Sequence, residues 1–154
     1  MIVYATMGSG KSMLISKYPE RFVDADQLLN NAAREHGIVI DDIQQTGKIL
    51  FYKFRRGHFF LPPYWDIIKK TIQEVKKNAD SLDVLGSNVF IYDIADVMYI
   101  YTKESRIKRF NAICDERHKA REYKGIIERE LYWQGYKPFR YIEENKYLSD
   151  YLLP

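Results

Sequence analysis

Residues 5–12 read ATMGSGKS, and their interpretation decides the fold. Before the glycines, Ile2-Val3-Tyr4-Ala5 is a short apolar run that suits a buried strand; after them, Met13, Leu14 and Ile15 open a helix. A glycine-rich turn between a strand and a helix makes an anion site. Successive backbone N–H groups curl round phosphate oxygens, a lysine adds a point charge, and a hydroxyl can ligate Mg²⁺. The N-terminus of the helix behind it adds positive potential. Here Gly8 and Gly10 permit the turn around Ser9, Lys11 would reach the β- and γ-phosphates, Ser12 would ligate the metal, and Met13 follows directly behind them. The pattern G-x-x-x-x-G-K-[ST] is complete except at its first position, where Ala5 stands. A methyl group there costs little while φ stays negative. Phosphate binding is therefore expected, over the blander reading of a turn that only starts a helix.

Outward from this loop, strands and helices alternate. Pro19 ends the first helix near Lys17 or Tyr18. Phe22-Val23 reads as a second strand closed by Asp24-Ala25-Asp26, and a helix over 26–36 stops at Gly37. The stretch 38–63 is less regular; Ile49 to Tyr52 suits either a strand or a buried helical turn. From Tyr64 to Ala79, the residues Trp65, Ile68, Ile72, Val75 and Ala79 share one face of a helix. Leu82 to Leu85 is a third strand ending in Gly86-Ser87-Asn88. Residues 89–101, VFIYDIADVMYIY, hold two strand-like runs too close together to be parallel neighbours, because a parallel crossover needs roughly a dozen residues. Val97–Tyr101 is taken as the strand and Val89–Ile94 as a helical turn or loop, which disfavours Asp93 as a metal carboxylate at a strand end. Helices over 103–119 and 121–134, a strand over 139–143 and a turn or helix over 147–153 complete the order. The alternation predicts an α/β fold with a mostly parallel sheet.

The loop together with FVDADQLL (residues 22–29) resembles the small P-loop kinases, the nucleoside monophosphate kinase group with shikimate and gluconate kinases as relatives. The resemblance implies a P-loop three-layer α/β/α sandwich with a roughly five-stranded sheet, a helical lid over about 103–125 and an acceptor-binding segment over about 38–65. It implies ATP as donor, Mg²⁺ as cofactor and a small nucleotide as acceptor. In shikimate kinases the second strand ends in Asp-x-Asp; those positions fall on Asp24, near the metal, and Asp26, near the acceptor. Residue chemistry agrees, since carboxylates at a strand's C-terminal end face the crevice where α/β sheets bind ligands. Asp26 is equally suited to capping the helix that follows. The end of the third strand, Gly86, Ser87 and Asn88, would border the acceptor pocket, or would simply be a loop. Phosphoryl transfer also needs cations over the moving group. Ile107, Phe110, Ile113 and Cys114 form a helical stripe, with Arg106, Arg117 and Arg121 along its line and Arg109 to one side. Arg109 and Arg117 are the lid candidates, with Arg121 behind them.

FYKFRRGHFFLPPYW, residues 51–65, interleaves cations and rings. Arg55 or Arg56 could hold an acceptor phosphate and Phe59 or Phe60 could stack on its base; the same composition suits single-stranded or flipped-out DNA, or a packed core segment. Three histidines and one cysteine form no zinc pattern, and Cys114 alone cannot make an internal disulfide. At 154 residues, 46% apolar and 29% charged, the chain is expected to be one globular domain. The short apolar run at the start suits neither a signal peptide nor a membrane span, so a cytoplasmic protein with no membrane partner is expected. A net charge of +3 is mild for binding duplex DNA. The leading expectation is a kinase of nucleoside monophosphates, with deoxynucleotides favoured. The alternatives are a kinase of a hydroxymethyl base in DNA, of a kind found in bacteriophages, and a nucleotide-binding switch or ATPase with no small acceptor.

Overall fold

The computed structural model describes residues 1–38, 64–88, 90–113 and 119–153; the side chains of 109–113 and 119–126 fall outside the description. Among these residues, five strands form one all-parallel sheet: β1 (Ile2–Ala5), β2 (Phe22–Asp24), β3 (Asp83–Gly86), β4 (Val97–Tyr101) and β5 (Phe139–Ile142), in the order β2-β3-β1-β4-β5. The helices are α1 (Lys11–Lys17), α2 (Ala25–Glu35), α3 (Tyr64–Asn78), α4 (Ile91–Ile94), α5 (Lys103–Ile113), α6 (Lys119–Gln134) and α7 (Ser149–Leu152).

Strand periodicity sends alternate side chains to opposite faces, and both faces of this sheet are apolar, as buried parallel sheets require. Ile2 and Tyr4 point to one face, where they pack with Val84, Met98 and Ile100 under Ala25 and Leu28 of α2, Val75 of α3 and Ile91 and Tyr92 of α4. Val3 and Ala5 point to the other, with Leu85, Tyr99 and Tyr101, under Leu14 of α1 and Leu148 and Leu152 at the C-terminal turn. A third cluster joins α2 to α3 through Leu29, Ala32, Ala33, Ile67 and Ile68.

The central strand β1 is bordered by β3 and β4, and the chain leaves its carboxyl end toward β2 while it leaves β4 toward β5 on the opposite side. Such a reversal opens a crevice outside the carboxyl ends of the strands, and ligands of open α/β sheets bind there. The register aligns three strand ends at this crevice: Tyr4 lies beside Gly86, and Leu85 beside Asp24.

Element order follows the sequence closely. The run at 89–101 resolves as expected, with α4 at 91–94 and the strand at 97–101. Asp93 sits on the short α4, exposed, at the opposite edge of the sheet, where Lys137, just ahead of β5, donates to its carbonyl. The stretch 39–63 lies outside the described residues. One expectation needs adjusting in α5: Ile107 is 39% exposed, whereas Ser105 and Arg106 are buried. The helix turns its first-turn polar residues inward because a carboxylate waits there. Among the described residues no helix is long and apolar enough to cross a membrane.

Candidate functional site

The loop between β1 and α1 takes its shape from two glycines. Gly8 and Gly10 adopt left-handed backbone, with φ of 80° and 89°, and no non-glycine residue described has positive φ. Gly10 caps α1, its carbonyl accepting from Leu14 N at 3.2 Å, while Ser9 N donates to Thr6 O at 3.3 Å. Ala5 is fully buried in the sheet core without left-handed strain, so the missing first glycine leaves the turn intact. The Ser9 hydroxyl is fully buried and meets no hydrogen-bond partner among the described residues, a cost of about 1–3 kcal/mol in a closed interior.

The loop is braced from outside by the segment after β5. Leu148 N donates to Ser9 O at 2.9 Å, and a Cβ on Gly10 would stand 3.3 Å from the Tyr147 ring. Tyr101 OH donates to Lys146 O at 2.9 Å, and Arg21 donates to Leu152 O at 2.6 Å. Nothing in the sequence pattern singled out this strap; its signal was only the apolar Leu148 and Leu152, four apart.

Lys11 turns back on the loop. Its ammonium donates to the carbonyls of Ala5 at 2.8 Å and Thr6 at 3.0 Å. Burial pushes its pKa down to about 8, against the upward pull of Asp26, Asp24 and Glu130. It meets no carboxylate at ion-pair distance among the described residues. Two carbonyl dipoles accept from two of its three N–H donors without cancelling its charge.

Asp24 ends β2 and caps α2, its Oδ1 accepting from Asp26 N at 2.9 Å. The sequence left capping and function open for Asp26; the capping falls to Asp24, which leaves the Asp26 side chain for other contacts. Burial raises the Asp24 pKa, opposed by that hydrogen bond and by Lys11. Asp26 is pushed up to about 6 by burial first and by Asp24 second, with Lys11 opposing. Asn88, at the end of β3, donates its amide to Asp26 Oδ1.

Gly86 has a packing reason to be glycine: a Cβ there would lie 2.8 Å from the Ala25 Cβ and 3.0 Å from Ile91 Cγ1. Ser87 is half-buried beside it, and Ser12 and Met13 are exposed at the start of α1. The structure thus gathers Gly8, Ser9, Gly10, Lys11, Ser12, Asp24, Asp26, Gly86 and Ser87 at one edge of the sheet. Arg55, Arg56, Phe59 and Arg117 lie outside the described residues; Arg109 and Arg121 are placed on α5 and α6 with their side chains undescribed.

Arg106 lies along the stripe that sequence reading aimed at a cleft, but it is buried against Glu130 of α6 in an ion pair. Glu130, fully buried, also accepts from Tyr4 OH at 2.6 Å, and Tyr4 OH lies 3.0 Å from Tyr92 OH. The Tyr4 and Tyr92 rings stack at 4.4 Å. Glu130 was not foreseen, because a glutamate in a charged helix carries no mark of burial in the sequence.

Among the described residues no group of three or more His, Cys, Asp or Glu side chains could hold a metal by itself. Mg²⁺ at a nucleotide needs less, since it keeps several waters and takes one or two protein oxygens beside the phosphates. The Ser12 hydroxyl and the Asp24 carboxylate are hard oxygen donors beside the loop and fit that requirement.

Neither a protein-family model nor a curated protein sequence matches the chain.

Proposed function

We propose that the chain is an ATP- and Mg²⁺-dependent phosphotransferase acting on a nucleotide acceptor. One observation carries the reading: the Lys11 ammonium lies half-buried on the Ala5 and Thr6 carbonyls, unanswered by a carboxylate among the described residues, within a loop shaped by left-handed Gly8 and Gly10. Such a loop is complementary to polyphosphate. The all-parallel sheet with apolar clusters on both faces supports a P-loop three-layer α/β/α sandwich, and α5 with the start of α6 would form its lid.

In the proposed reaction the backbone N–H groups of residues 8–12 cradle the β- and γ-phosphates, and Lys11 leaves its two carbonyls to meet them. Bound Mg²⁺ would supply charge neutralisation between the phosphates, held by Ser12 and Asp24. The acceptor oxygen forms a bond to the γ-phosphorus as the bond to the bridging oxygen breaks. That electron pair leaves with ADP, and any proton on the acceptor passes to solvent. Arg109 and Arg117 are the lid cations proposed to face the transferred group. Asp26 orients the acceptor.

Two receiving groups fit this scheme. The first is the phosphate of a nucleoside monophosphate, held by Arg55 or Arg56 with Phe59 on the base and Gly86 and Ser87 at the pocket rim. The second is a hydroxyl, as on a hydroxymethyl base in DNA. Asp24 and Asp26 favour the second, because carboxylates beside the loop repel a phosphate and can accept a hydrogen bond from a hydroxyl.

The test is ADP formation from ATP and Mg²⁺ against nucleoside monophosphates, nucleosides and hydroxymethylated duplex DNA. Acceptor-dependent release that Lys11→Ala abolishes, with the fold retained, is the expected result. Transfer that survives Lys11→Ala would sink the assignment. ADP release indifferent to every acceptor would instead mark an ATPase or a nucleotide-binding switch.

A further inference from the structure

We propose that Asn88 is a positioning residue that holds Asp26 and builds with it a two-oxygen face selecting a hydroxyl as the receiving group. The inference rests on the phosphotransfer reading and chooses between its two acceptors.

Asn88 and Asp26 come from different strand ends, 62 residues apart in the chain, and meet through Asn88 Nδ2 and Asp26 Oδ1. Opposite a carboxylate an amide can only donate, so the Asn88 orientation is settled and its carbonyl oxygen is directed away from that contact. Among the described residues nothing donates to Asn88 Oδ1 or to Asp26 Oδ2. Both residues are half-buried at the crevice. The pair therefore offers two hydrogen-bond acceptors and no spare carboxylate rotation.

Its geometry is fixed from three sides. Asp26 N is tied to Asp24 Oδ1 at 2.9 Å. The Asn88 carbonyl accepts from Ile91 N at 3.0 Å, which anchors the residue to the start of α4. Between them, the contact of Gly86 with Ala25 is so close that a single methyl group would collide at 2.8 Å. The β3 end and the α2 N-terminus are thereby locked at one separation, and the amide-to-carboxylate reach depends on it.

A face of two acceptor oxygens suits a ligand that brings a donor. An ionised phosphate brings only acceptors and negative charge; an alcohol brings an O–H. Leaving the carboxylate free to rotate would cost alignment, and small misplacements at a reacting centre cost large factors in rate. Asn88 itself takes no part in bond making.

The experiment uses the full chain with ATP, Mg²⁺ and the acceptors named above, and reads the product by phosphorus NMR, which separates a phosphate ester from a phosphoanhydride. MgADP binding by calorimetry reports the phosphate loop independently. The expected product is an ester. Asn88→Ala should lower acceptor-dependent kcat/KM by roughly 10–100-fold, mainly through kcat, with MgADP affinity within about twofold of the parent. Asn88→Asp, which sets carboxylate against carboxylate, should fall at least as far. In an Asp26→Ala background the loss from Asn88→Ala should nearly vanish, since the two act as one unit. Unchanged turnover in Asn88→Ala, or losses that multiply independently, would overturn the role of Asn88. An anhydride product would overturn the hydroxyl selection and leave phosphotransfer standing. MgADP binding without transfer to any acceptor would remove both.

Discussion

Lys11 is half-buried and Arg106 buried, and the two cations are held in opposite ways. Arg106 is answered by a fully buried carboxylate, Glu130, which also takes the Tyr4 hydroxyl. Lys11 rests on two backbone carbonyls, with Asp24, Asp26 and Glu130 acting on it only through their fields. The residue types match these duties. A guanidinium is a rigid fork suited to a fixed carboxylate, whereas an ammonium on a flexible stem can move from one set of oxygens to another. A neutralised cation is committed to the fold. A cation satisfied only by dipoles keeps its attraction for an anion, and its burial is a standing cost until one arrives. The two sites lie on either side of β1, so one short strand carries both the closed pair and the open one.

Three perturbations sharpen the contrast. The largest effect is on stability: Glu130→Ala removes the buried carboxylate that pairs with Arg106 and accepts from Tyr4, and should cost about 3–5 kcal/mol in chemical unfolding. MgADP affinity, measured at a temperature where the variant stays folded, should change far less. An unfolding free energy within 1 kcal/mol of the parent, on the order of surface substitutions, would erase the distinction between the two sites. Next, Lys11→Met keeps most of the stem and removes the charge. Nucleotide binding should fall by about 100-fold, some 2.7 kcal/mol, while stability holds or rises.

The smallest effect is in the pH dependence of that stability. Lys11 titrates near 8 when folded against its ordinary 10.5, so between these values the unfolded chain binds more protons than the native one. Stability contributed by this group therefore rises with pH in that window, by about 1.5 kcal/mol between pH 8 and 9.5. The parent should show the rise relative to Lys11→Met in paired denaturation curves. Above pH 10 the overall stability of both proteins falls with pH, because Tyr4 and Tyr92 are raised, the latter to about 12, and keep their protons longer in the folded chain. Parallel curves for the two proteins would show that the ammonium bears no burial cost.

The parts legible in the sequence are those with a local cause. Gly8 and Gly10 announce a turn with positive φ, Pro19 stops α1 after Lys17, and the short spacer between Ile94 and Val97 forbids two parallel strands. Asp24 could be read as the end of β2 because strand, carboxylate and helix follow one another directly. The parts not legible depend on distant partners. The burial of Glu130 exists only because Arg106 and Tyr4 reach it from α5 and β1. The placement of Asn88 beside Asp26 follows from β3 lying between β2 and β1, an order no local pattern encodes. Gly86 looked like a pocket residue and has a packing reason besides, visible only once Ala25 is placed against it.

The brace between Leu148 and Ser9 also carries a message about synthesis. Residues 8–10 are synthesised long before the segment that walls them in. A nascent chain that has completed β1 through β4 holds glycines without the backbone partner and the Tyr147 ring that enclose them. The loop thereby stays open on that side until translation has passed Leu148, and a product clipped before it would lack this wall.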